Sequence, residues 1–217
     1  LFQPFYIPSS SMEPNLLIGD RLFVSKYSYG YSRHSLPFSP KIYNKRILTK
    51  LPDRGDVIVF KTPADNRTDY IKRLIGLPGD TIQIIDSNLY LNNAKVKKEK
   101  IENLTNINCG NEIINAIFFK ETLPNGMRYI AVYRNDGTMM NTDRFIVPEN
   151  HYFFMGDNRD CSKDSRFLSS VGYVNINNLV GKAQLIFFSN EKKRGSFFKF
   201  WKWHKSLRLE RFFKKIK

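Results

Sequence analysis

The chain has 217 residues, of which 41% are apolar and 25% charged, a globular composition that excludes disordered and collagen-like classes. Its 35 Lys and Arg against 20 Asp and Glu give a net charge of +15, and 11 of the basic residues lie in 191–217. Two cysteines exclude a disulfide framework and a four-thiolate zinc site, and three scattered histidines argue against a His-rich metal site. We therefore expect neither a metal ion nor another cofactor.

Membrane insertion is predicted to depend on residues outside this chain. No run of about 18 apolar residues is present, so no segment of the chain is expected to span a bilayer. The chain begins at Leu1, within an apolar stretch, rather than at a Met. We interpret this as a truncated or processed start and expect a membrane anchor upstream of it.

Strand signals dominate the chain, as short β-branched or aromatic runs bounded by Gly, Pro and Asp. Leu89–Val96 predicts a hairpin that turns at Asn92-Asn93, because Asn tolerates the positive φ of a tight turn. The predicted fold class is mainly β, an antiparallel sheet protein of sandwich or barrel type. The other predicted strands are Arg21–Lys26, Asp56–Lys61, Tyr70–Ile75, Thr81–Ile85, Ala116–Lys120, Met127–Arg134, Arg144–Val147, Tyr152–Met155 and Val180–Phe188.

Shifts in composition divide the chain into a core and three additions. Residues 31–53 are rich in Ser, Pro, Lys and Tyr and predict an exposed loop or ribbon, whereas the Asn-rich residues 86–143 predict an inserted accessory β domain. A short helical tail is predicted within the basic, aromatic residues 191–217, where apolar residues recur at helical spacing. The apolar residues at helical spacing are Leu209, Phe212, Phe213 and Ile216. The remaining ranges, 1–30, 54–85 and 144–190, make up the predicted catalytic core.

Three serines, Ser9 to Ser11, lie between Pro8 and Pro14, which favour a stiff, non-helical segment. Such a segment is either a Ser-rich turn or an exposed nucleophile with neighbouring groups that donate to an oxyanion. A nucleophilic Ser needs a base, but His34, His151 and His204 all have the setting of surface residues. Lys is the known alternative base for a Ser hydrolase.

Lys72 is the candidate base. Strand alternation places Tyr70 and Leu74 beside it on one face of a predicted strand. Apolar neighbours can desolvate the amine and lower its pKa from about 10.4, so that a neutral amine takes the Ser proton. The alternative is an ordinary strand lysine whose amine extends along its neighbours into water.

A third stretch, Gly156–Arg166, interleaves Asp with Arg directly after an apolar strand. Asp157, Asp160 and Asp164 could supply oxygen ligands to calcium, but the EF-hand spacing with its closing Glu is absent. The interleaved charges favour a structural loop held by salt bridges at the end of a strand.

Taken in order, these stretches resemble the type I (bacterial leader) signal peptidases. The resemblance implies a catalytic β core of that type and an endopeptidase that removes signal peptides from exported preproteins, after small residues at positions −1 and −3. It further implies a monomer at the bacterial cytoplasmic membrane, with its catalytic domain on the periplasmic or outer side. The motifs are Pro8-Ser9-x-Ser11-Met12-x-Pro14-x-Leu16, Arg54-Gly55-Asp56 with the strand to Phe60, Tyr70-Ile71-Lys72-Arg73 to Asp80, and Gly156 to Arg166.

The resemblance also implies roles for residues in these motifs. Ser11 would be the nucleophile and Lys72 its general base, with Ser162 orienting the Lys amine. The Ser9 hydroxyl and the Ser11 N–H would form the oxyanion hole. An Asp164–Arg166 ion pair would support the site, with Asp157 and Arg159 building the loop, and the substrate pockets would be lined by Phe5, Ile7, Pro8, Met12, Leu16, Tyr70, Ile71 and Met155.

Two positions depart from the family pattern. Ser10 stands where relatives often carry Gly, and the serine side chain narrows the range of backbone conformations next to the nucleophile. Cys161 stands where Asn is common, and the sequence leaves open whether it pairs with Cys109.

The basic, aromatic tail favours contact with an anionic membrane surface, although part of its aromatic cluster could instead pack on the β body. Two other function classes fit parts of the sequence. A self-cleaving repressor with the same Ser–Lys chemistry normally has a DNA-binding domain before its Ser, for which ten residues leave no room. A nucleic-acid-binding module would use the positive charge but gives no reason for Ser11, Lys72 and Ser162 to occur together, so we expect no nucleic-acid partner.

Overall fold

A computed structural model describes residues 2–30, 48–137, 139–191 and 206–216, with antiparallel strands as its main element. Most of the predicted ribbon, residues 31–47, lies outside the described residues, as do residues 192–205 of the tail. Within the described ranges, no helix combines the length and apolar composition that crossing a bilayer requires.

Fifteen described strands, numbered here in chain order, form three sheets. All the strands predicted from the sequence are present, with bounds that differ by a few residues. β1, β8, β13 and β15 are additional. The polar residues of β1 and β8 give no clear apolar alternation, and β13 and β15 have only two residues each. The strands are β1 Phe2–Tyr6, β2 Asp20–Ser25, β3 Val57–Lys61, β4 Asp69–Gly76, β5 Thr81–Ile85, β6 Asn88–Leu91, β7 Ala94–Lys95, β8 Lys97–Cys109, β9 Glu112–Thr122, β10 Arg128–Arg134, β11 Phe145–Ile146, β12 His151–Met155, β13 Val174–Asn175, β14 Leu179–Ser189 and β15 Lys214–Lys215.

The largest sheet has the order β1–β2–β14–β3–β4–β12–β13, and β15 also pairs with β14. Apolar side chains cover both faces of this sheet, as its central strand β3 shows. Val57 and Val59 point into one apolar cluster, and Ile58 and Phe60 point into another. Because successive side chains alternate between faces, a strand buried on both sides carries an unbroken apolar run.

Two smaller sheets, β11–β5–β6–β7 and β10–β9–β8, are formed by residues 81–146. The predicted hairpin is confirmed, since β6 and β7 are joined by Asn92 and Asn93 with φ of 52° and 63°. The long β8–β9 hairpin turns at Gly110-Asn111. A disulfide between Cys109 and Cys161 ties this turn to the loop that follows β12.

The predicted C-terminal helix is wrong within the described residues. Residues 207–216, which include the four residues at helical spacing, instead contain a single turn of 3-10 helix, Leu209–Arg211, followed by β15. The four apolar residues do not share one face: Phe212 contacts Phe188 and Ile216 packs on the core, whereas Leu209 and Phe213 are exposed. Pairing of β15 with β14 offers the backbone hydrogen bonds that a helix would otherwise supply.

Arg211 fixes this terminal segment to the core. Its guanidinium donates to both carboxylate oxygens of the fully buried Asp20, at 3.0 and 2.6 Å, and to the backbone oxygen of Asn15 at 2.9 Å. Ser189 Oγ donates to the same carboxylate at 2.7 Å. The segment therefore contacts the same stretch, residues 11–20, that carries the three serines.

We predict that Arg211→Ala lowers the free energy of unfolding by about 3 kcal/mol, because removing one partner leaves the buried Asp20 charge unpaired. Urea unfolding followed by circular dichroism measures the change. Arg134→Ala is the control, since its ion pair with Asp136 lies at the surface, where such pairs contribute little to stability. Equal losses in the two variants would contradict a fixing role for Arg211.

Candidate active site

Ser11 lies in a tight turn between β1 and β2. The Glu13 N–H donates to Ser10 O at 3.0 Å, and the Leu16 N–H donates to Met12 O at 2.9 Å. The backbone oxygen of Ser11 accepts from the Asn158 N–H at 3.1 Å. These bonds hold the backbone of the nucleophile candidate from within its own turn and from the loop after β12.

Lys72 lies on β4 and its Nζ donates a hydrogen bond to Ser11 Oγ, which joins residues 61 positions apart. The two side chains are buried, with 4% and 6% of their residue surfaces exposed. A cleft of about 540 Å³ opens at this pair. The amine therefore reaches the hydroxyl at the inner end of a cleft that a peptide can enter.

Burial is the main influence on the Lys72 amine. Desolvation lowers the pKa of Lys72 to about 8, and the Arg166 charge adds to the decrease, whereas Asp164 and Asp157 oppose it. A substantial fraction of the amine is therefore neutral near pH 8. A neutral amine has a lone pair that can accept the Ser11 proton.

Two buried ion pairs surround this amine. Arg166 Nε donates to Asp164 Oδ1 at 2.8 Å, and Arg73 donates to both oxygens of Asp157 at 2.7 Å. Burial alone would raise the pKa of Asp164, but the Arg166 charge and several hydrogen bonds lower it below its ordinary value. Asp164 thus favours its charged form, and each of the two carboxylates has a guanidinium group as its ion-pair partner rather than Lys72.

The two other predicted serines lie close to the pair. Ser9 Oγ is 3.4 Å from Ser11 Oγ, at the mouth of the cleft. Ser162 Oγ donates to Asp164 Oδ2 at 2.7 Å, and no hydrogen bond joins it to Lys72 among the described contacts. The sequence leads us to expect that Ser162 orients the Lys72 amine, but no direct hydrogen bond between the two side chains is present among the described contacts.

The predicted substrate-contacting residues fall into two groups. Phe5, Ile7, Pro8, Tyr70 and Ile71 line the cleft, together with Val59 and Lys163. The remaining three lie behind its surface and are almost fully buried. They are Met12 and Leu16, in the core on one face of the large sheet, and Met155, in the core shared with the smaller sheets.

Arg159 has a partner that the sequence did not reveal. Its guanidinium donates to both oxygens of Glu121, at 3.0 and 2.6 Å, and also contacts the hydroxyls of Tyr129 and Tyr133. Glu121 lies on β9, 38 positions away, and it is fully buried. Its position within an apolar strand was the available signal, because a buried carboxylate needs a cationic partner.

The three aspartates considered as calcium ligands have other partners. Asp157 and Asp164 pair with arginines, and Asp160 accepts from the backbone N–H groups of Arg134 and Met139 at 2.8 and 3.2 Å. This agrees with the prediction of a loop held by salt bridges, although Asp157 pairs with Arg73 from β4 rather than with a residue of its own loop.

Comparison with known proteins settles the family. The family model described as signal peptidase, peptidase S26, matches residues 1–188 of the chain. The chain belongs to this family. It is therefore a serine peptidase that cleaves signal peptides, and its substrates are preproteins. Proteins of the signal peptidase I family are typically membrane-bound with a periplasmic catalytic domain.

Similar proteins cover most of the chain. Signal peptidase I of Rickettsia conorii is 45% identical over 201 residues, which are 88% of this chain and 73% of the relative. Signal peptidase I of Rickettsia typhi is 41% identical over 234 aligned residues, covering 100% of this chain and 86% of the relative. A crystal structure of a signal peptidase I from Enterococcus faecalis matches 61% of this chain and 97% of its own, at 29% identity and a TM-score of 0.36.

Gly156 leaves no room for a side chain beside the Ser11–Lys72 pair. A Cβ there would overlap Ser162 Oγ and lie 2.5 Å from Ser11 O. We predict that Gly156→Ala lowers kcat by about 100-fold, because a shift of about 1 Å at the reacting atoms has an effect of that size. A preprotein cleavage assay measures it, with Lys97→Ala as the control, since the Lys97 side chain is exposed. Similar kcat values in the two variants would contradict the close packing.

Proposed function

We propose that Ser11 is the nucleophile and Lys72 the general base of signal-peptide cleavage by this chain. The observation that carries this proposal is the hydrogen bond from Lys72 Nζ to Ser11 Oγ at the buried end of the cleft. Burial makes the amine a base near neutral pH, which a solvent-exposed lysine is not.

The reaction then proceeds through an acyl-enzyme. Neutral Lys72 accepts the Ser11 proton while Ser11 Oγ attacks the scissile carbonyl carbon, and the resulting ammonium protonates the leaving amine as the C–N bond breaks. The Ser9 hydroxyl and the Ser11 N–H donate to the oxyanion. Water then attacks the ester, with Lys72 again the base, and releases the signal peptide and regenerates Ser11.

The supporting residues act through charge and position. Ser162 donates to Asp164, and Asp164 is held in place by Arg166 beside the Lys72 amine. We therefore assign Ser162 a positioning role that acts on Lys72 through the Asp164 carboxylate. The Asp157 charge also acts on the Lys72 amine, and Arg73 holds the Asp157 carboxylate in place.

The substrate binds as an extended strand along β4. Residues 69–73 of β4 pair with β3 on one side, while on the other side β12 pairs only from Arg73 onward. Among the described strands none occupies the remaining edge at Asp69–Lys72, so its backbone groups can pair with a peptide. Phe5, Ile7 and Tyr70 then enclose the substrate side chains, which favours small residues at positions −1 and −3.

We predict that Ser11→Ala and Lys72→Ala each abolish cleavage of a preprotein with Ala at positions −1 and −3. The wild-type rate should rise with pH and level off above about 8, because the base is active only after the amine loses its proton. Lys97→Ala, on an exposed side chain, should cleave like wild type. Retained cleavage in either active-site variant, or a rate independent of pH between 6 and 10, would overturn the assignment.

We further infer that the chain works on the outer side of the cytoplasmic membrane, against an anionic lipid surface. Eleven basic residues and seven aromatic residues in 191–217 support this, because basic and aromatic side chains favour the interface. Exposed Phe2 and Tyr6 on the edge strand β1 add apolar surface next to the cleft. A preprotein whose signal segment lies in the bilayer would thus meet the cleft at the lipid surface.

The charge of residues 192–205 tests this inference. Replacing its six Lys and Arg by Gln should weaken binding to phosphatidylglycerol vesicles by at least 100-fold, since each basic group contributes about 1 kcal/mol at an anionic surface. Vesicle sedimentation at low salt measures it, with phosphatidylcholine vesicles as the control. These substitutions spare Arg211, which deletion of the tail would remove from Asp20. Unchanged sedimentation would show that other residues make the membrane contact.

A further inference from the structure

The turn of the β8–β9 hairpin contacts the segment that carries Ser11. The hairpin tip is defined here as Asn108, Cys109 and Gly110. Asn108 donates to both carboxylate oxygens of Glu13, from its backbone N–H at 3.1 Å and from Nδ2 at 3.0 Å. The Gly110 N–H donates to Ser10 Oγ at 3.3 Å. The tip thus holds one residue on each side of the Ser11-Met12 dipeptide.

The loop after β12 joins the same assembly. Asn158 Nδ2 donates to Ser10 O at 3.1 Å and to Asn108 O at 3.0 Å, so one side-chain amide bridges the nucleophile segment and the tip. The Cys109–Cys161 disulfide then links the tip covalently to the residue before Ser162. Three segments that are distant in sequence therefore share one network of bonds around Ser11.

The nucleophile side of this network is buried, whereas Asn108 is half-buried and Gly110 is exposed. Ser10 and Glu13 are each 3% exposed. Burial raises the pKa of Glu13, whereas the two hydrogen bonds from Asn108 oppose that rise. The Ile18 backbone and the Arg208 charge also favour the Glu13 carboxylate, but Asn108 supplies two of its hydrogen bonds, and their loss from a buried carboxylate is costly.

We propose that the hairpin tip is a positioning element for the cleavage reaction, in which the Asn108–Glu13 pair and the Cys109–Cys161 bond fix Ser11 Oγ against Lys72. The inference rests on the proposed role of Ser11 as the nucleophile. Asn108 and Cys109 do not line the cleft, whereas Cys161 does, so the Asn108–Glu13 pair is the part of the network that acts only through the nucleophile segment. Loss of that pair should lower kcat and leave KM nearly unchanged.

Asn108→Asp tests the side-chain contact. The variant places a second carboxylate against Glu13, and we expect kcat to fall at least tenfold while KM changes by less than about twofold. Glu13→Gln combined with Asn108→Asp restores a matched pair, because the Gln amide then donates to the Asp carboxylate. This double variant should recover most of the lost kcat. Asn111→Ala, an exposed side chain in the same turn, is the control and should behave like wild type.

Reduction tests the covalent contact and remains informative if Asn108→Asp does not fold. A small phosphine reductant converts the disulfide to two thiols, confirmed by thiol titration, and kcat should fall with near-ultraviolet circular dichroism retained. A Cys109→Ser/Cys161→Ser variant should have the kcat of the reduced protein and should not respond to the reductant. Loss of the folded signal on reduction would show a purely structural bond and overturn the positioning role.

Ser11→Ala, assayed in parallel, separates this inference from the catalytic assignment. If Ser11→Ala still cleaves preprotein, the nucleophile is another group and the assignment itself has failed. If Ser11→Ala is inactive, four outcomes overturn the positioning role alone: full kcat in Asn108→Asp, no recovery in the double variant, an effect confined to KM, or loss of the folded signal on reduction.

Discussion

Lys72 can reach Ser11 Oγ only by giving up contact with water, and much of the surrounding structure follows from that desolvation. A buried ammonium is costly, so burial favours the neutral amine and lowers the pKa of Lys72 to about 8. Nearby carboxylates act in the opposite direction, since an unpaired Asp would keep the amine protonated. Asp164 and Asp157 are each paired with a guanidinium at 2.7–2.8 Å, which limits this effect.

The arginines therefore have a function beyond loop structure. A guanidinium group does not act as a proton acceptor for its neighbours, so Arg166 and Arg73 compensate the two carboxylates without competing for the proton that Lys72 must gain and lose. Arg73 Nη1 also donates to Gly55 O at 2.8 Å, which ties the loop after β12 to the segment before β3. The same side chains thus set the charge at the amine and hold together the parts of the chain that form the site.

Local pattern predicted much of this molecule from sequence, and long-range pairing accounts for what it missed. Strand alternation and the Asn92-Asn93 turn depend on neighbouring residues, so both were predicted correctly. Ser11 and Lys72 emerged because each lies in a recognisable local motif. The partners Glu121 and Asn108 lie in an Asn-rich, strand-forming stretch where nothing in the nearby sequence indicates an Arg159 or a Glu13 at the other end. The prediction of a C-terminal helix was wrong because the spacing of apolar residues carries no information about the backbone groups of β14, with which β15 pairs.

The net charge of +15 overstates the positive charge that a membrane could meet. Arg211 is neutralised by the buried Asp20, and Arg208 donates to the backbone oxygen of Ile18 at 3.0 Å, so both guanidinium groups are committed to the fold. Arg73, Arg159 and Arg166 are likewise paired and buried. Charge counted from composition therefore has two components, one that holds the active site together and one that remains at the surface. Membrane affinity should follow the second component alone, because a charge already paired inside the protein gains little from an anionic lipid.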